Sequence, residues 1–135
     1  MLKTEMQIER DFYSFVKCSS LGRGIRGGVY RSEMRPWNAK TEDLVVKFLA
    51  GTDGQVQSGV VVLNIYVPDV QHNPGTSVAD KVRIGELQEL LQSFVAGSGG
   101  VEYLLNTDGT PVTMKDEGLG QHFIYARIYF KRITE

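Results

Sequence analysis

Apolar residues recur at helical spacing near the start of the chain, which predicts a helix from about Thr4 to Ser19. The residues of this stripe are Ile8, Phe12, Phe15 and Val16. Thr4 and Gln7 have the spacing of a capping box, in which two side chains bond free backbone amides at the helix start. Gly22 and Gly24 follow, and we expect them to end the helix because glycine adopts left-handed conformations at low cost.

A second helical stripe predicts a helix from about Val78 to Ala96, with Ser77 as its N-cap and Gly97 just past its end. The buried side of this helix is expected to carry Leu87, Leu90, Leu91, Phe94 and Val95. Gly85 weakens the helix by about 1 kcal/mol relative to alanine. Close packing of a neighbouring element at Gly85 is one explanation for that glycine.

Alternating apolar and polar residues predict the strands. Leu44 to Ala50 and Gln55 to Val67 are expected to form an antiparallel hairpin around a turn at 52–54. Gly59 lies inside the second of these strands and is expected to mark a bulge. A short strand is predicted over Val29 to Arg31, and Pro68 to Val78 is expected to be a loop.

The C-terminal third of the chain predicts three further strands, over Val101 to Leu105, Pro111 to Lys115 and Gln121 to Ile133, with turns at 106–109 and 117–120. The predicted fold class is therefore α+β. It has a mostly antiparallel sheet, built from a hairpin plus a three-strand meander, with two amphipathic helices packed on it. A length of 135 residues suits a single domain, 1–135.

The two longest predicted strands each divide into two faces of alternate residues. One face is apolar and suits a cover of helices: Val61, Leu63, Ile65, Val67, Ile124, Ala126, Ile128 and Phe130. The other face is large and aromatic with polar tips: Val60, Val62, Asn64, Tyr66, Phe123, Tyr125, Arg127, Tyr129 and Lys131. A face in contact with water would hold more Lys, Glu and Thr.

Two interpretations of the aromatic face stay open. Tyrosine and arginine are enriched where protein surfaces meet, which favours packing against another subunit. Alternatively, the helix from Thr4 to Ser19 covers this face within the same chain. Under the first interpretation, the candidate assembly contacts on this face are Tyr66, Tyr125, Arg127 and Tyr129.

Composition narrows the function classes. The formal net charge of -1 removes the main electrostatic reason to expect nucleic-acid or membrane-surface binding. A lone Cys18 cannot form a disulfide within the chain and fits a reducing compartment. The charged opening segment lacks the apolar centre of a signal peptide, and no apolar run approaches the roughly 20 residues of a membrane helix.

The glycines Gly22, Gly24 and Gly27 match the spacing of the dinucleotide-binding fingerprint. That motif needs a strand before the glycines and a helix after them, whereas here the order is reversed. The same segment carries Arg23 and Arg26, with two further arginines just beyond. We expect either solvated loop arginines or a charged loop that becomes ordered on assembly and contacts phosphate or a neighbour's carboxylates.

Catalytic and metal-binding patterns are weak. Asp69, His72 and His122 lack the paired spacing of zinc sites, and Ser19 beside Cys18 has no evident base. Trp37, after Pro36, is expected to be a packing anchor. The sequence therefore predicts no catalytic residues, no cofactor and no metal.

The order of elements resembles that of the small tail-terminator and tail-completion (head–tail joining) proteins of tailed bacteriophages and prophages. The features that carry the resemblance are the N-terminal amphipathic helix, the Val29-Tyr30 strand followed by Pro36, and the hairpin ending in the run 64–68. The helix around residues 87–95 and the closing aromatic strand complete it. The resemblance spans nearly the whole chain.

This resemblance implies a non-enzymatic structural protein that forms a homo-oligomeric ring, often a hexamer. The ring ends the tail tube and joins it to the head connector, so assembly would take place in the bacterial host cytoplasm and the product would lie in the virion tail. One alternative is a bacterial cytoplasmic α+β ligand-binding or enzymatic domain, a dimer with a pocket between the second helix and the sheet. A further alternative is an adaptor that binds a bacterial host protein.

Overall fold

In the computed structural model, residues 2–52, 56–116 and 120–133 are described. Three helices form within these ranges: α1 Glu5–Cys18, α2 Ser20–Gly24 and α3 Lys81–Gly97. The strands are β1 Val29–Arg31, β2 Asp43–Thr52, β3 Val56–Pro68, β4 Val70–Asn73, β5 Thr76–Val78, β6 Tyr103–Thr107, β7 Val112–Asp116 and β8 Gln121–Ile133. The α+β class with a mostly antiparallel sheet is confirmed. The predicted turn at 52–54 and most of that at 117–120 lie outside the described residues.

The first helix begins and ends within one residue of the predicted bounds, but the glycines expected to stop it do not. Thr4 is its N-cap, and the reciprocal hydrogen bonds with Gln7 form the capping box. The chain bends at Ser19, whose hydroxyl accepts from the amide of Gly22 and starts α2. The prediction that Gly22 ends the helix is wrong, because Gly22 lies inside α2. A Cβ at Gly22 would overlap the carbonyl oxygen of Val16, so this glycine permits close approach of two helices.

Six strands form one sheet in the order β1-β2-β3-β8-β6, with β7 also paired to β8. β1 is parallel to β2, and the other pairs are antiparallel, including the predicted β2–β3 hairpin. The last three strands do not follow one another as a meander. Because β8 has 13 residues, β7 pairs with its first part and β6 with its second part, along the same edge.

The predicted bulge lies on the neighbouring strand. The register between β2 and β3 shifts between Phe48 and Ala50, whereas Gly59 keeps a regular position opposite Phe130 of β8. A Cβ at Gly59 would overlap the carbonyl oxygen of Ala50. Gly59 therefore permits the bulged part of β2 to approach β3 closely.

The segment predicted as a loop before the second helix is a small hairpin. β4 and β5 pair antiparallel, with Val70 opposite Val78, and Gly75 makes the turn with a φ of 82°. The structure therefore corrects the loop prediction. We call residues 70–78 the arm.

The second helix starts later than predicted. Val78 belongs to β5, and the N-cap of α3 is Asp80, whose carboxylate accepts from the amide of Arg83 at 3.2 Å. Ser77 is therefore not the cap. A Cβ at Gly85 would meet open space, so close packing does not explain that glycine.

One hydrophobic core lies between the helices and the apolar face of the sheet. The buried stripes of α1, α2 and α3 join it together with the inward residues of β2, β3 and β8. Phe12, Tyr103 and Phe130 meet in its centre, with ring centroids 5.3 to 5.8 Å apart. We call the helix-covered side of the sheet the first face and the opposite side the second face.

Candidate assembly surface

No helix in the described part of the chain covers the second face. The buried apolar residues of the three described helices all belong to the core on the first face, and the buried Glu9 pairs with Arg31. The hypothesis that the first helix covers the aromatic face within the chain is therefore wrong. The second face consists of Val60, Val62, Asn64 and Tyr66 of β3, Phe123, Tyr125, Arg127, Tyr129 and Lys131 of β8, and Asp43, Val45 and Lys47 of β2. Val45 and Val62 in its middle are buried by neighbouring side chains, and the aromatic residues around them are partly exposed.

Strand register brings four of the six candidate contacts together. Tyr125, Arg127 and Tyr129 alternate along β8, and Tyr66 lies on β3 opposite Phe123. Cross-strand neighbours on one face have Cβ atoms roughly 5 Å apart. The sequence therefore identified one continuous surface.

Flanking strands extend the second face with exposed apolar side chains. β7 adds Val112 opposite Tyr125 and Met114 opposite Phe123, and β6 adds Leu104 opposite Lys131. All three added side chains are exposed. A sheet face that meets only water would be mostly polar, so this surface is suited to a protein partner.

Asn64 lies in the middle of the second face, between Val45 of β2 and Tyr125 of β8. Its side-chain oxygen Oδ1 is buried and has no hydrogen-bond partner among the described residues. A buried acceptor left unsatisfied costs about 1–3 kcal/mol.

A loop residue covers one end of the second face. The guanidinium of Arg35 lies 4.0 Å from the ring centroid of Tyr66, which also contacts Phe123 at 5.4 Å. Burial raises the pKa of Tyr66, and the positive charge of Arg35 opposes that shift in part. The Tyr66 hydroxyl therefore stays neutral near pH 7 and can donate a hydrogen bond.

The other charged candidate on this surface is solvated. Arg127 donates from Nε to Asp108 Oδ2 at 3.0 Å, and both side chains are exposed. Exposed ion pairs contribute about 0–1 kcal/mol. Arg127 can therefore exchange Asp108 for a carboxylate of a partner at little cost.

Two arginines of the segment 23–35 are already engaged within the subunit. Arg31 binds the buried carboxylate of Glu9 at 2.8 Å, and Arg35 binds that of Asp43 at 2.9 Å. The hypothesis that these arginines are free for phosphate or for a neighbour is therefore corrected. The loop is held to the body by buried acids.

Adjacent acids at the start of β2 organise this region, and the sequence analysis missed them. Arg83 donates to both carboxylate oxygens of Glu42, at 2.7 and 2.8 Å. Asp43 accepts from the Gly28 amide, from Thr41 and from Arg35. The signal in the sequence is two consecutive acids directly before a strongly apolar strand.

Both carboxylates are held in their charged form. Burial alone would raise the pKa of Glu42, but hydrogen bonds from Arg83 and from the Arg26 amide outweigh burial and lower it. The pKa of Asp43 is lowered in the same way, against burial, by its three donors. These groups therefore tie α3 and the loop to the sheet most firmly when they are ionised.

The remaining two candidates, Arg23 and Arg26, lie away from the second face. Arg23 donates to the carbonyl oxygen of Cys18 at 2.9 Å beside α1, and its side chain is exposed. Arg26 donates only its backbone amide, to Glu42 at 2.8 Å, so its exposed guanidinium forms no hydrogen bond within the described part of the chain. Both stay predictions as assembly contacts.

Trp37 is not the packing anchor that the sequence predicted. Its side chain is 94% exposed, and the neighbouring Met34 is exposed as well. The loop of residues 32–41 turns tightly, with positive φ at Glu33 and Asn38, and the tight turns leave both side chains outside. An exposed tryptophan is a typical energetic anchor of a protein interface.

The metal-ligand types are dispersed. His122 and Asp69 share a 2.6 Å hydrogen bond, whereas His72 is exposed on the arm. Within residues 2–52, 56–116 and 120–133, no group of three such side chains is placed to hold a metal ion. The glycines at 22–27 lie between α2 and β1, so the nucleotide-binding context stays reversed.

A groove lies between α3 and the outer edge of β6. The alternative of a ligand-binding or enzymatic domain predicted a pocket in this region, between the second helix and the sheet. Its cavity volume is about 700 Å³. It is lined by Leu91, Gln92, Val95, Ala96, Leu105, Asn106, Thr107, Gly109, Thr110 and Pro111. None of these side chains is ionisable. We call this cavity the edge groove.

In comparisons with known proteins, no protein-family model and no curated protein matches the chain. Among the described helices, none is long and apolar enough to cross a membrane.

Proposed function

We propose that this chain is a structural protein of a phage or prophage tail, which acts by assembling with copies of itself into a ring. The ring would terminate the tail tube and join it to the head connector. The observation that carries the proposal is the second face, an aromatic sheet surface without a helical cover. Its mechanism is geometric closure of an interface, without catalysis or a cofactor.

The chemistry of the second face supports a protein partner over water. Tyr125 and Tyr129 offer large, rigid contact area with a polar tip, which is typical of interface centres. The exposed Val112 and Met114 add apolar surface beside them.

A ring restricts how the surface is used. Closed rings form when one patch of a subunit meets a different patch of the next, whereas a self-complementary patch gives a two-fold dimer. The second face would therefore meet another region of the neighbouring subunit. Arg23, Arg26 and Trp37 lie outside this face and are candidates for that region or for the tail-tube and connector proteins.

The groove beside α3 is the observation that favours the alternative, a ligand-binding or enzymatic domain. Its lining of apolar and uncharged polar side chains offers no general acid or base. A catalytic site would normally combine a cleft with convergent groups of perturbed pKa. The groove thus supports that alternative less than the second face supports assembly.

The test compares a lysine on the second face with a matched lysine elsewhere. Val112→Lys places a charge on the second face, and Val82→Lys places one at an exposed position of α3. The molar mass of both variants and of the wild-type chain is measured by light scattering over a wide range of concentration. Electron microscopy then shows whether the larger species are rings.

We expect wild type and Val82→Lys to form the same ring and Val112→Lys to form no ring, because a lysine would have to be desolvated at the second-face contact. A wild-type mass of one chain at every concentration, including with a tail-tube protein added, contradicts the proposal. A ring that stays intact in the double variant, which combines Val112→Lys with the charge reversal Arg127→Glu, also contradicts the proposal.

A further inference from the structure

The arm lacks the contacts that normally stabilise a hairpin. Every residue from 70 to 78 is exposed, including Val70 and Val78. A two-stranded hairpin alone is marginally stable in water, because it has no third strand and no hydrophobic cover. The arm therefore has the character of an element completed by another surface.

The outer edge of β6 is the second unsatisfied element. Backbone groups alternate sides along a strand. Asp108 donates its amide to Arg127 of β8, whereas Tyr103 donates to Gly99 on the other side. Leu105 and Thr107 share the outward side with Tyr103, and their backbone amides have no backbone partner among the described residues.

These free backbone groups open into the edge groove. Leu105 and Thr107 line it from the sheet, and Leu91 and Val95 line it from α3. A strand added beside β6 would extend the six-stranded sheet and pack its inward side chains on α3. This is the geometry of strand addition, in which backbone hydrogen bonds supply affinity.

The arm and the edge groove match in length and charge. β4 has 4 residues and β6 has 5, so the two strands can pair over most of their lengths. The arm contains no Lys, Arg, Asp or Glu, and neither does the groove lining. Pairing would therefore bury no unpaired charge.

The arm cannot reach the groove of its own chain. It leaves the body at Asp69, which is held to Gly120 and His122 at the start of β8. β6 pairs with the far part of β8, near Tyr129, which is about 23 Å away at about 3.3 Å per residue. The four residues of β4 span only about 13 Å.

We propose that the arm of one copy adds as a strand to the outer edge of β6 in a second copy, with its residues seated in the edge groove. The inference rests on the proposed function, since it names a second contact, besides the second face, through which copies would associate. Arm and groove are different patches, so the contact is heterologous and propagates from subunit to subunit until the ring closes.

The experiment uses one variant on each side of the contact. In the arm variant, a short Gly-Ser link replaces residues 70–78. In the edge variant, Thr107→Pro removes the outward backbone amide of Thr107. A free strand edge tolerates proline at such a position. Ala96→Arg in the groove repeats the edge test on the helix, and Ser93→Arg, exposed on α3 outside the groove, is its control.

We expect each of the arm, Thr107→Pro and Ala96→Arg variants to self-associate at least tenfold more weakly than wild type and Ser93→Arg. When the arm variant is mixed with an edge variant, each has one intact half of the contact. Both chains also carry Val112→Lys in this mixture, so that the second face no longer links copies. Native mass spectrometry should then show one-to-one dimers that grow no further, which only a heterologous contact produces.

The possible failures are distinguishable. A ring that survives removal of the arm, or a mixture without one-to-one dimers, overturns the arm contact and leaves the proposed assembly standing. A wild-type chain that is monomeric under all conditions overturns both proposals. If Thr107→Pro does not fold, Ala96→Arg gives the same mixing test.

Discussion

The two faces of the same two strands differ in what covers them, although both are rich in apolar residues. On the first face, Ile124, Ala126 and Ile128 of β8 are fully buried under the helices. On the second face, Tyr125 and Tyr129 are half-buried and have no helix above them. Residue type thus identifies a surface that avoids water, whereas the helices decide which of the two faces is covered within the chain.

Ion pairs differ in burial in the same way as apolar side chains. Glu42, below α3, is 5% exposed and binds Arg83 through both carboxylate oxygens. Asp43, opposite Tyr66 at one end of the second face, is 1% exposed and binds Arg35, whereas the pair between Arg127 and Asp108 on the same face is exposed. Buried pairs fix the subunit's shape, and solvated pairs can be exchanged for a partner at low cost.

Neighbouring residues of β8 give the largest expected contrast. Phe130→Ala removes a fully buried ring that contacts Phe12 and Tyr103 on the first face, and it should lower the free energy of unfolding by about 3–5 kcal/mol. Tyr129→Ala, one residue away on the second face, should lower it by about 1 kcal/mol. Urea denaturation measures both.

The effect on self-association should not follow the effect on unfolding free energy. Tyr129→Ala should weaken self-association while the subunit stays folded. Equal losses of unfolding free energy at Phe130 and Tyr129 would mean that the second face is covered as well as the first. The distinction between the two faces would then be lost.

The ion pairs give the next contrast. Arg83→Met leaves the buried carboxylate of Glu42 without its bidentate partner and should cost about 3 kcal/mol of unfolding free energy. Arg127→Met leaves only the exposed Asp108 and should cost less than about 1 kcal/mol. Chemical denaturation near pH 7 compares them, and similar costs would refute the distinction between buried and exposed ion pairs.

Acid should act mainly through the buried carboxylates. Because the folded pKa values of Glu42 and Asp43 are lowered, their stabilisation is complete above their unfolded values of about 4 and is lost as pH falls through the folded values. We expect the urea midpoint to be constant from neutral pH to about 5 and to fall below about 4.

Glu42→Gln is the matched variant for this pH dependence. It should be less stable than wild type near pH 7, because Arg83 loses its counter-charge, and it should lose less stability on acidification. If the unfolding free energies of the two proteins fell in parallel with pH, Glu42 would have the same pKa in the folded and unfolded chains.

Local patterns predicted most of the fold. The capping box at Thr4, the strand over residues 29–31 and the full length of β8 follow from spacing between neighbours in the chain. The arm did not, because its residues lack the alternation that comes from burying one side. The paired positions of β6 and β7 depend on the length of a third strand, which no local pattern contains.

The surface was predictable in part. Alternation along β3 and β8 placed Tyr66, Tyr125, Arg127 and Tyr129 on one face, as strand register confirms. The roles of Glu42 and Asp43 were missed because each binds a residue distant in the sequence or in a loop. Trp37 was misassigned because a tryptophan side chain suits a core as well as an interface. Its exposure to solvent follows from the turns around it.

The smallest effect on stability is expected for a substitution of Asn64, in the middle of the second face. Asn64→Val removes the buried oxygen that lacks a partner and adds a residue favoured in strands, so the unfolding free energy should stay equal or rise by up to about 1 kcal/mol. Because that oxygen is enclosed within the subunit, a neighbouring copy does not reach it, and self-association should be unchanged. A stable Asn64→Val subunit with weakened assembly would show that contact with the partner opens this part of the second face and uses the Asn64 oxygen.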